Sequence, residues 1–262
     1  MSTLVVELIG STLDILVLRR CVSCGAFGGA FCHTCRSEMI LPSSPLCWHC
    51  GRSLRLVAPV ESSERPPLCL DCAQGNGPSS LTRLRAVALH EGTVRLAIHA
   101  LKYQGKRPVA RALGDVLARY LQGWSNEVDL IVPVPLERQR QRERGFNQAA
   151  LLARRCAWQL RLPYLPKVLV RQRATRPQVG LSRDERRQNV WHAFVPGPQA
   201  RHIAGKHIML IDDVLTTGST LNAAAAALAP LYPGSVAGVA VTRPTPRWLP
   251  ATHLYWLEGD NL

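Results

Sequence analysis

A chain of 262 residues forms one large domain or two modest ones, and a hydrophobic content of 47% excludes wholesale disorder. The formal net charge is +14, yet residues 1–80 hold six basic and six acidic side chains, so the excess lies wholly after residue 80. A basic second part suits an anionic ligand, nucleotide-like or nucleic acid; the base composition of the gene is a competing source of the charge, because Arg supplies 28 of the 32 basic residues.

In chain order, Met1–Arg20 is the first apolar stretch. Glu7 and Asp14 interrupt it, no basic residues open it, and a small-residue cleavage pattern is missing. It therefore reads as an amphipathic helix with a buried face, with no membrane insertion. Eight of the nine cysteines follow as four C-x-x-C pairs: Cys21/Cys24, Cys32/Cys35, Cys47/Cys50 and Cys69/Cys72. Without a signal peptide the expected compartment is the reducing cytoplasm, where paired thiols serve metals or redox chemistry. Four thiolates satisfy one Zn²⁺, so eight supply two structural sites. The favoured grouping is Cys21, Cys24, Cys32 and Cys35 for one and Cys47, Cys50, Cys69 and Cys72 for the other. Interleaved pairing stays open on spacing alone, and a redox role is weaker because a thioredoxin-like motif needs its own βαβ frame. His33 and His49 lie inside cysteine pairs and could substitute as ligands. Zinc would replace the core that an 80-residue segment lacks.

Ala73–Ser80 (AQGNGPSS) is rich in Gly, Pro and Ser and reads as a linker. It divides the chain into a helix and cysteine-rich zinc module over 1–80 and a second domain over 81–262. Strands are predicted at Leu84–Leu89, Leu130–Val134, Val168–Val170, Ile208–Ile211 and Val236–Val241. Helices are predicted at Val94–Lys102, Pro108–Leu121, Asn147–Leu160 and Ser219–Leu228. The alternation predicts an α/β fold, a parallel sheet flanked by helices. Cys156 falls inside a helical pattern and is read as core.

The most informative segment is Ile208–Leu221, IMLIDDVLTTGSTL. Four apolar residues make a strand buried on both faces. Asp212 and Asp213 then stand where the strand emerges, the usual ligand position in an open α/β sheet. A short hydroxyl-rich loop with one Gly opens directly into a helix, aiming backbone N–H groups and the positive helix end at one spot, as phosphate binding requires. Thr216, Thr217, Ser219 and Thr220 add hydroxyl donors around Gly218. The acidic pair would repel a phosphate, so its own partner is a sugar diol or a metal. No Lys follows the Gly, as an ATP-hydrolysing loop would require.

Asp-Asp-Val-Leu-Thr-Thr-Gly-Ser-Thr resembles the motif by which type I phosphoribosyltransferases bind 5-phosphoribosyl 1-pyrophosphate (PRPP). The resemblance implies that the acidic pair contacts the ribose hydroxyls and that the Thr/Gly loop holds the 5′-phosphate. Three further blocks narrow the family. Pro133, Val134 and Pro135, with Arg138 and Arg144-Gly-Phe-Asn-Gln, resemble a pyrophosphate loop and its helix. Arg173-x-Thr-Arg-x-Gln, continuing through Arg186-x-x-Asn, resembles a mobile loop that closes over PRPP. Leu101-Lys102-Tyr-x-Gly105 resembles a third block. With the cysteine-rich front, these resemble the competence protein F (ComF) family, in its GntX-like branch, over roughly residues 13–243. The resemblance implies a type I phosphoribosyltransferase-like fold and a link to DNA uptake or utilisation.

Each block also has a physical reading. Two prolines at a strand end fix an extended backbone and remove two donors. Arg138, Arg140, Arg142 and Arg144 could contact a pyrophosphate or line a solvated helix. Chemistry on PRPP would displace pyrophosphate from the ribose C1, with Mg²⁺ and Arg or Lys offsetting the leaving-group charge. Leu215 and Thr216 stand where some purine-salvage relatives place an acidic base, so a base for an acceptor is missing and catalytic residues stay unassigned. The family's zinc modules imply contact with single-stranded DNA. The front module is formally neutral, so Arg residues after position 80 are expected to carry that contact, with Trp48 and Phe27 as stacking surfaces.

Overall fold

Apolar runs and their caps set the architecture of the computed structural model, which describes residues 19–54, 66–172 and 193–246. Most of the Met1–Arg20 helix and the block with Arg173 and Arg186 lie outside the described residues. In chain order the strands are β1 (Arg83–Leu89), β2 (Leu130–Pro133), β3 (Leu169–Arg171), β4 (Phe194–Pro196), β5 (His207–Val214) and β6 (Ser235–Arg243). The helices are α1 (His33–Ser37), α2 (Leu70–Ala73), α3 (Gly92–Tyr103), α4 (Pro108–Leu121), α5 (Arg138–Arg144), α6 (Gln148–Leu160) and α7 (Ser219–Leu228).

Strands β1, β6, β5 and β2 form one sheet in that order, parallel throughout. Alternation along β5 shows why it reads as an unbroken apolar run. Ile208 and Leu210 pack with Leu221, Ala224 and Leu228 of α7, whereas Met209 and Ile211 join Leu113 and Leu117 of α4 and Leu152 and Cys156 of α6. A strand covered on both faces cannot show a polar alternation. Each fully buried Leu in these layers contributes about 1.5–3 kcal/mol. Helices α4 and α6 approach closely at Gly114, where an added Cβ would lie 2.6 Å from Arg155 Cβ. Among the described residues no helix is long and apolar enough to cross a membrane.

The Val168–Val170 prediction lands on a real strand outside the main sheet. β3 pairs antiparallel with β4, Val170 opposite Val195, and Leu169 and Phe194 pack on the α7 side of the sheet. β4 has only three residues, too few for any periodicity to register.

The cysteine-rich segment covers the sheet edge. β1 is an edge strand, and an uncovered edge is a template for unwanted pairing. Leu84 N donates to His49 O at 2.8 Å and Leu89 N donates to Ile40 O at 2.7 Å. Thr93 Oγ1 donates to Cys35 O at 2.7 Å. Cys21, Phe31, Cys35 and Met39 join the same apolar cluster as Val87, Ile98 and Leu113. Gly51 is required at this junction: its φ is +65°, and a Cβ would meet Leu84 O at 2.4 Å.

Candidate functional site

A cleft of ≈ 830 Å³ opens at the carboxyl ends of β2 and β5, the position at which open α/β sheets take ligands. Its volume suits a sugar-phosphate-sized molecule. Asp212, Asp213, Thr216 and Thr220 form one wall, and Val134 and Pro135 another. Lys102, Tyr103 and Gly105 come from the end of α3, and Arg140, Glu143 and Arg144 from α5. The strand and loop order alone therefore gathers three of the segments singled out in the sequence.

The acidic pair is asymmetric. Lys102 Nζ lies 2.5 Å from Asp213 Oδ2, although Asp213 Oδ2 has no aligned hydrogen bond, so the contact is ionic. Burial opposes charge on Asp213, but the Lys102 ammonium outweighs it and holds the carboxyl below the usual carboxylate range. Burial pushes Asp212 up, and the Asp213 carboxylate pushes it the same way. Asp212 Oδ1 accepts from Asp213 N at 2.8 Å. One carboxylate is thus held by the protein, and the other faces the cleft with its proton held more tightly than usual.

The loop after β5 divides. Thr216 and Thr220 face the cleft. Thr217 and Ser219 hydrogen-bond to each other at 2.7 Å, and with Gly218 they face a smaller pocket bordered by Cys50 and Cys72. Gly218 takes φ +86°, and a Cβ there would lie 2.7 Å from Leu84 Cδ2. The glycine both starts α7 and lets the loop lie on β1.

The opposite wall is held by a cap. Asn147 Oδ1 accepts from Ala149 N at 3.0 Å, closing the start of α6. Its Nδ2 donates to Val134 O at 3.0 Å, which ties the Pro-Val-Pro segment to the helix. Pro133 itself ends β2, buried. Arg144 donates to Gln148 Oε1 at 3.1 Å and stacks on Tyr103 at 5.3 Å. Arg138 is exposed at the start of α5 and does not line the cleft; its neighbour Arg140 does. The helical turn puts residues 140 and 144 on one face, a periodicity the sequence already carried. Arg171 also lines the cleft; it opens the Arg-rich stretch Arg171–Asn189 of the sequence, ahead of the candidates Arg173 and Arg186. Burial lowers its pKa, with Glu137 and Asp212 opposing.

The cysteines gather in two groups, Cys21, Cys24, Cys32 and Cys35, and Cys47, Cys50, Cys69 and Cys72, with all sulfurs of a group within 4.8 Å of one another. Tetrahedral zinc with Zn–S bonds of about 2.3 Å sets sulfurs about 3.8 Å apart. Cys24 and Cys32 Sγ stand at 3.6 Å, as do Cys50 and Cys69 Sγ. Burial disfavours the Cys21 thiolate, but backbone N–H groups of Cys32, Cys24 and Ser23 outweigh it and bring the thiol down to about 6. Those of Cys50, Cys69 and His49 do the same for Cys47, also to about 6. Both tetrads fit Zn²⁺, and consecutive pairs, not interleaved ones, make each. His49 is turned away, its Nε2 2.7 Å from Leu81 O.

The parallel sheet, the loop after β5 and the paired cysteine tetrads define a phosphoribosyltransferase-type domain carrying a zinc ribbon. Family comparison agrees: the phosphoribosyl transferase domain family matches residues 103–256 and the double zinc ribbon domain family residues 12–75. The chain is 30% identical over 212 residues to competence protein F of Haemophilus influenzae, across 78% of this chain and 87% of that one. It is 33% identical over 207 residues to the DNA utilization protein YhgH of Escherichia coli O157:H7, across 72% and 86%. Against competence protein ComFC of Bacillus subtilis it is 26% identical over 213 residues, across 79% and 80%. The chain belongs to the competence protein F family.

Proposed function

We propose that the cleft binds PRPP and that the protein is a cytoplasmic, PRPP-binding member of its family acting in DNA uptake or utilisation. The acidic pair at the end of β5, followed at once by a hydroxyl-rich loop that starts α7, carries this reading. A ligand with a phosphate one sugar away from vicinal hydroxyls satisfies both features. Asp212 accepts from the ribose hydroxyls, and Lys102 keeps Asp213 ionised beside it. Thr216 and Thr220 with the start of α7 hold the 5′-phosphate. Arg140, Arg144 and Arg171 offset the pyrophosphate charge; Arg173 and Arg186, further candidates by resemblance, lie outside the described residues. Asp212 and Asp213 would tolerate the pyrophosphate with a bound Mg²⁺, which would reduce its repulsion from the carboxylates. The names of the relatives, competence and DNA utilization, support the second half of the proposal.

A second reading is a Mg²⁺-dependent phosphoribosyltransferase with an unknown acceptor. The complete cleft favours it, and the loop opposes it: Leu215 is buried and Thr216 faces the cleft, so no carboxylate stands there to take a proton from an acceptor. Pyrophosphate release from PRPP and Mg²⁺, measured with bases, amines and single-stranded DNA as acceptors, separates the readings. Binding without release is the result expected. Acceptor-dependent release that disappears in Asp212→Asn would establish the enzyme instead.

A further inference from the structure

Two buried arginines of the sheet lack a carboxylate partner. Arg85 of β1 and Arg243 at the end of β6 are 7% and 6% exposed. Among the described residues no Asp or Glu lies within ion-pair distance of either. Both point toward the second cysteine tetrad. Arg85 Nη1 donates to Cys47 O at 3.3 Å, and Arg243 Nη1 donates to Cys50 O at 3.2 Å. The rings of Trp48 and Trp124, each 6.0 Å from Arg85, offset only part of its charge. Arg52, the third cation beside this tetrad, is already paired with Asp71 at 2.8 Å.

The charges balance in one state. Zn²⁺ with four thiolates carries a net charge of −2, and Arg85 with Arg243 carries +2. With Arg52 and Asp71 cancelling, the loaded site is neutral. Without metal, thiols that keep their protons would leave the two buried cations short of negative charge. We propose that Arg85 and Arg243 are the counterions of the zinc tetrathiolate at Cys47, Cys50, Cys69 and Cys72, positioning residues that make this zinc part of the sheet's own core. They reach the metal through charge and through the backbone carbonyls of two ligand residues, so they bind no metal themselves. Outer-sphere partners of this kind set metal retention.

The test uses the full-length zinc-loaded protein with Arg85→Met, Arg243→Met and Arg85→Lys. Zinc release to a chromophoric chelator is followed in time, and cysteines alkylated during release are mapped by peptide mass. In either Met variant one of the two zinc ions should leave about 10- to 100-fold faster, with Cys47, Cys50, Cys69 and Cys72 alkylated first. Release from Cys21, Cys24, Cys32 and Cys35 should stay at the wild-type rate. Arg85→Lys, which keeps the charge, should restore slow release; a loss of packing alone would not be rescued this way. Should Arg85→Met fail to fold, Arg85→Gln against Arg85→Lys gives the same charge comparison. Equal acceleration at both tetrads, unchanged release, or a wild-type protein with no zinc at the second tetrad would each overturn the proposal.

Discussion

Asp213 and Lys102 stand 2.5 Å apart with side chains only 5% and 17% exposed, so the pair is structural before it is functional. Asp213→Asn leaves Lys102 buried without its partner and should cost about 3–5 kcal/mol of stability, read from denaturant unfolding. Asp212→Asn replaces a buried carboxyl whose ionisation Asp213 opposes and should not destabilise the protein. The two variants separate further with pH. The folded state holds the Asp212 proton above its unfolded value, so this group's stabilisation is present at low pH. It is lost as pH rises from the ordinary carboxylate value, about 4, through the raised one. Asp213 has the opposite sign: its stabilisation is present above the unfolded value and lost as pH falls through its lowered one. Unfolding free energy across this range should therefore fall less steeply with pH in Asp212→Asn than in wild type. Identical slopes would show that Asp212 is not held protonated. The sequence displayed both acids and their place at a strand end. It could not show that Lys102, more than a hundred residues away, holds only the second of them.

At the scale of elements, α6 and the segment before it depend on one side chain. Asn147 caps the helix and holds Val134 O. Asn147→Ala should cost about 1 kcal/mol and also weaken ligand binding, because the Pro-Val-Pro wall loses its tie. A stability loss with unchanged affinity would restrict Asn147 to the cap. The long elements were legible because their patterns are local: α4 starts at Pro108, α6 at its Asn cap and β5 as an apolar run ending in two acids. β5 extends through both acids to Val214, because Asp212 and Val214 still pair with Ala240 and Thr242 of β6. Apolar periodicity cannot report that continuation. Arg138 and Arg140 make the same point in the cleft. Both sit in one Arg-rich run, and only the helical turn of α5 decides that residue 140 faces inward.

At the scale of the whole molecule, the cysteine-rich front and the second domain share an apolar cluster. Residues 1–80 carry no net charge and read as a separate module, yet Phe31 and Met39 are buried with the helices of the phosphoribosyltransferase-type domain. Two Zn²⁺ per chain are expected from the two tetrads. Chelation should lower the stability of the entire chain in a single transition, measured by thermal unfolding with and without chelator. An early partial transition that leaves ligand binding intact would show that the front is independent. Contacts of this kind join residues far apart in sequence, such as Leu89 with Ile40 and Ser80 N with Asn222 Oδ1 at 2.9 Å. They leave no local pattern.

DNA binding, if carried by charge, belongs to the same scale. The exposed rings of Phe27 and Trp48 each have an Arg 4.2 Å from the ring centre. Single-strand affinity should fall steeply with salt. Each phosphate contact contributes about 0.7 to the logarithmic slope, so Arg138→Ala/Arg144→Ala should reduce it by about 1.4 if both residues touch phosphate. Gel-shift titrations at several salt concentrations would measure this, and a slope that changes only in Trp48→Ala would move the contact to the zinc ribbon. The central claim is the PRPP cleft, and calorimetric titration of zinc-loaded, full-length protein with PRPP and Mg²⁺ tests it most directly. One site per chain is expected in wild type, with binding abolished in Asp212→Asn while its circular dichroism and unfolding midpoint are retained; unchanged affinity in that variant, or no heat of binding in wild type, would contradict the account.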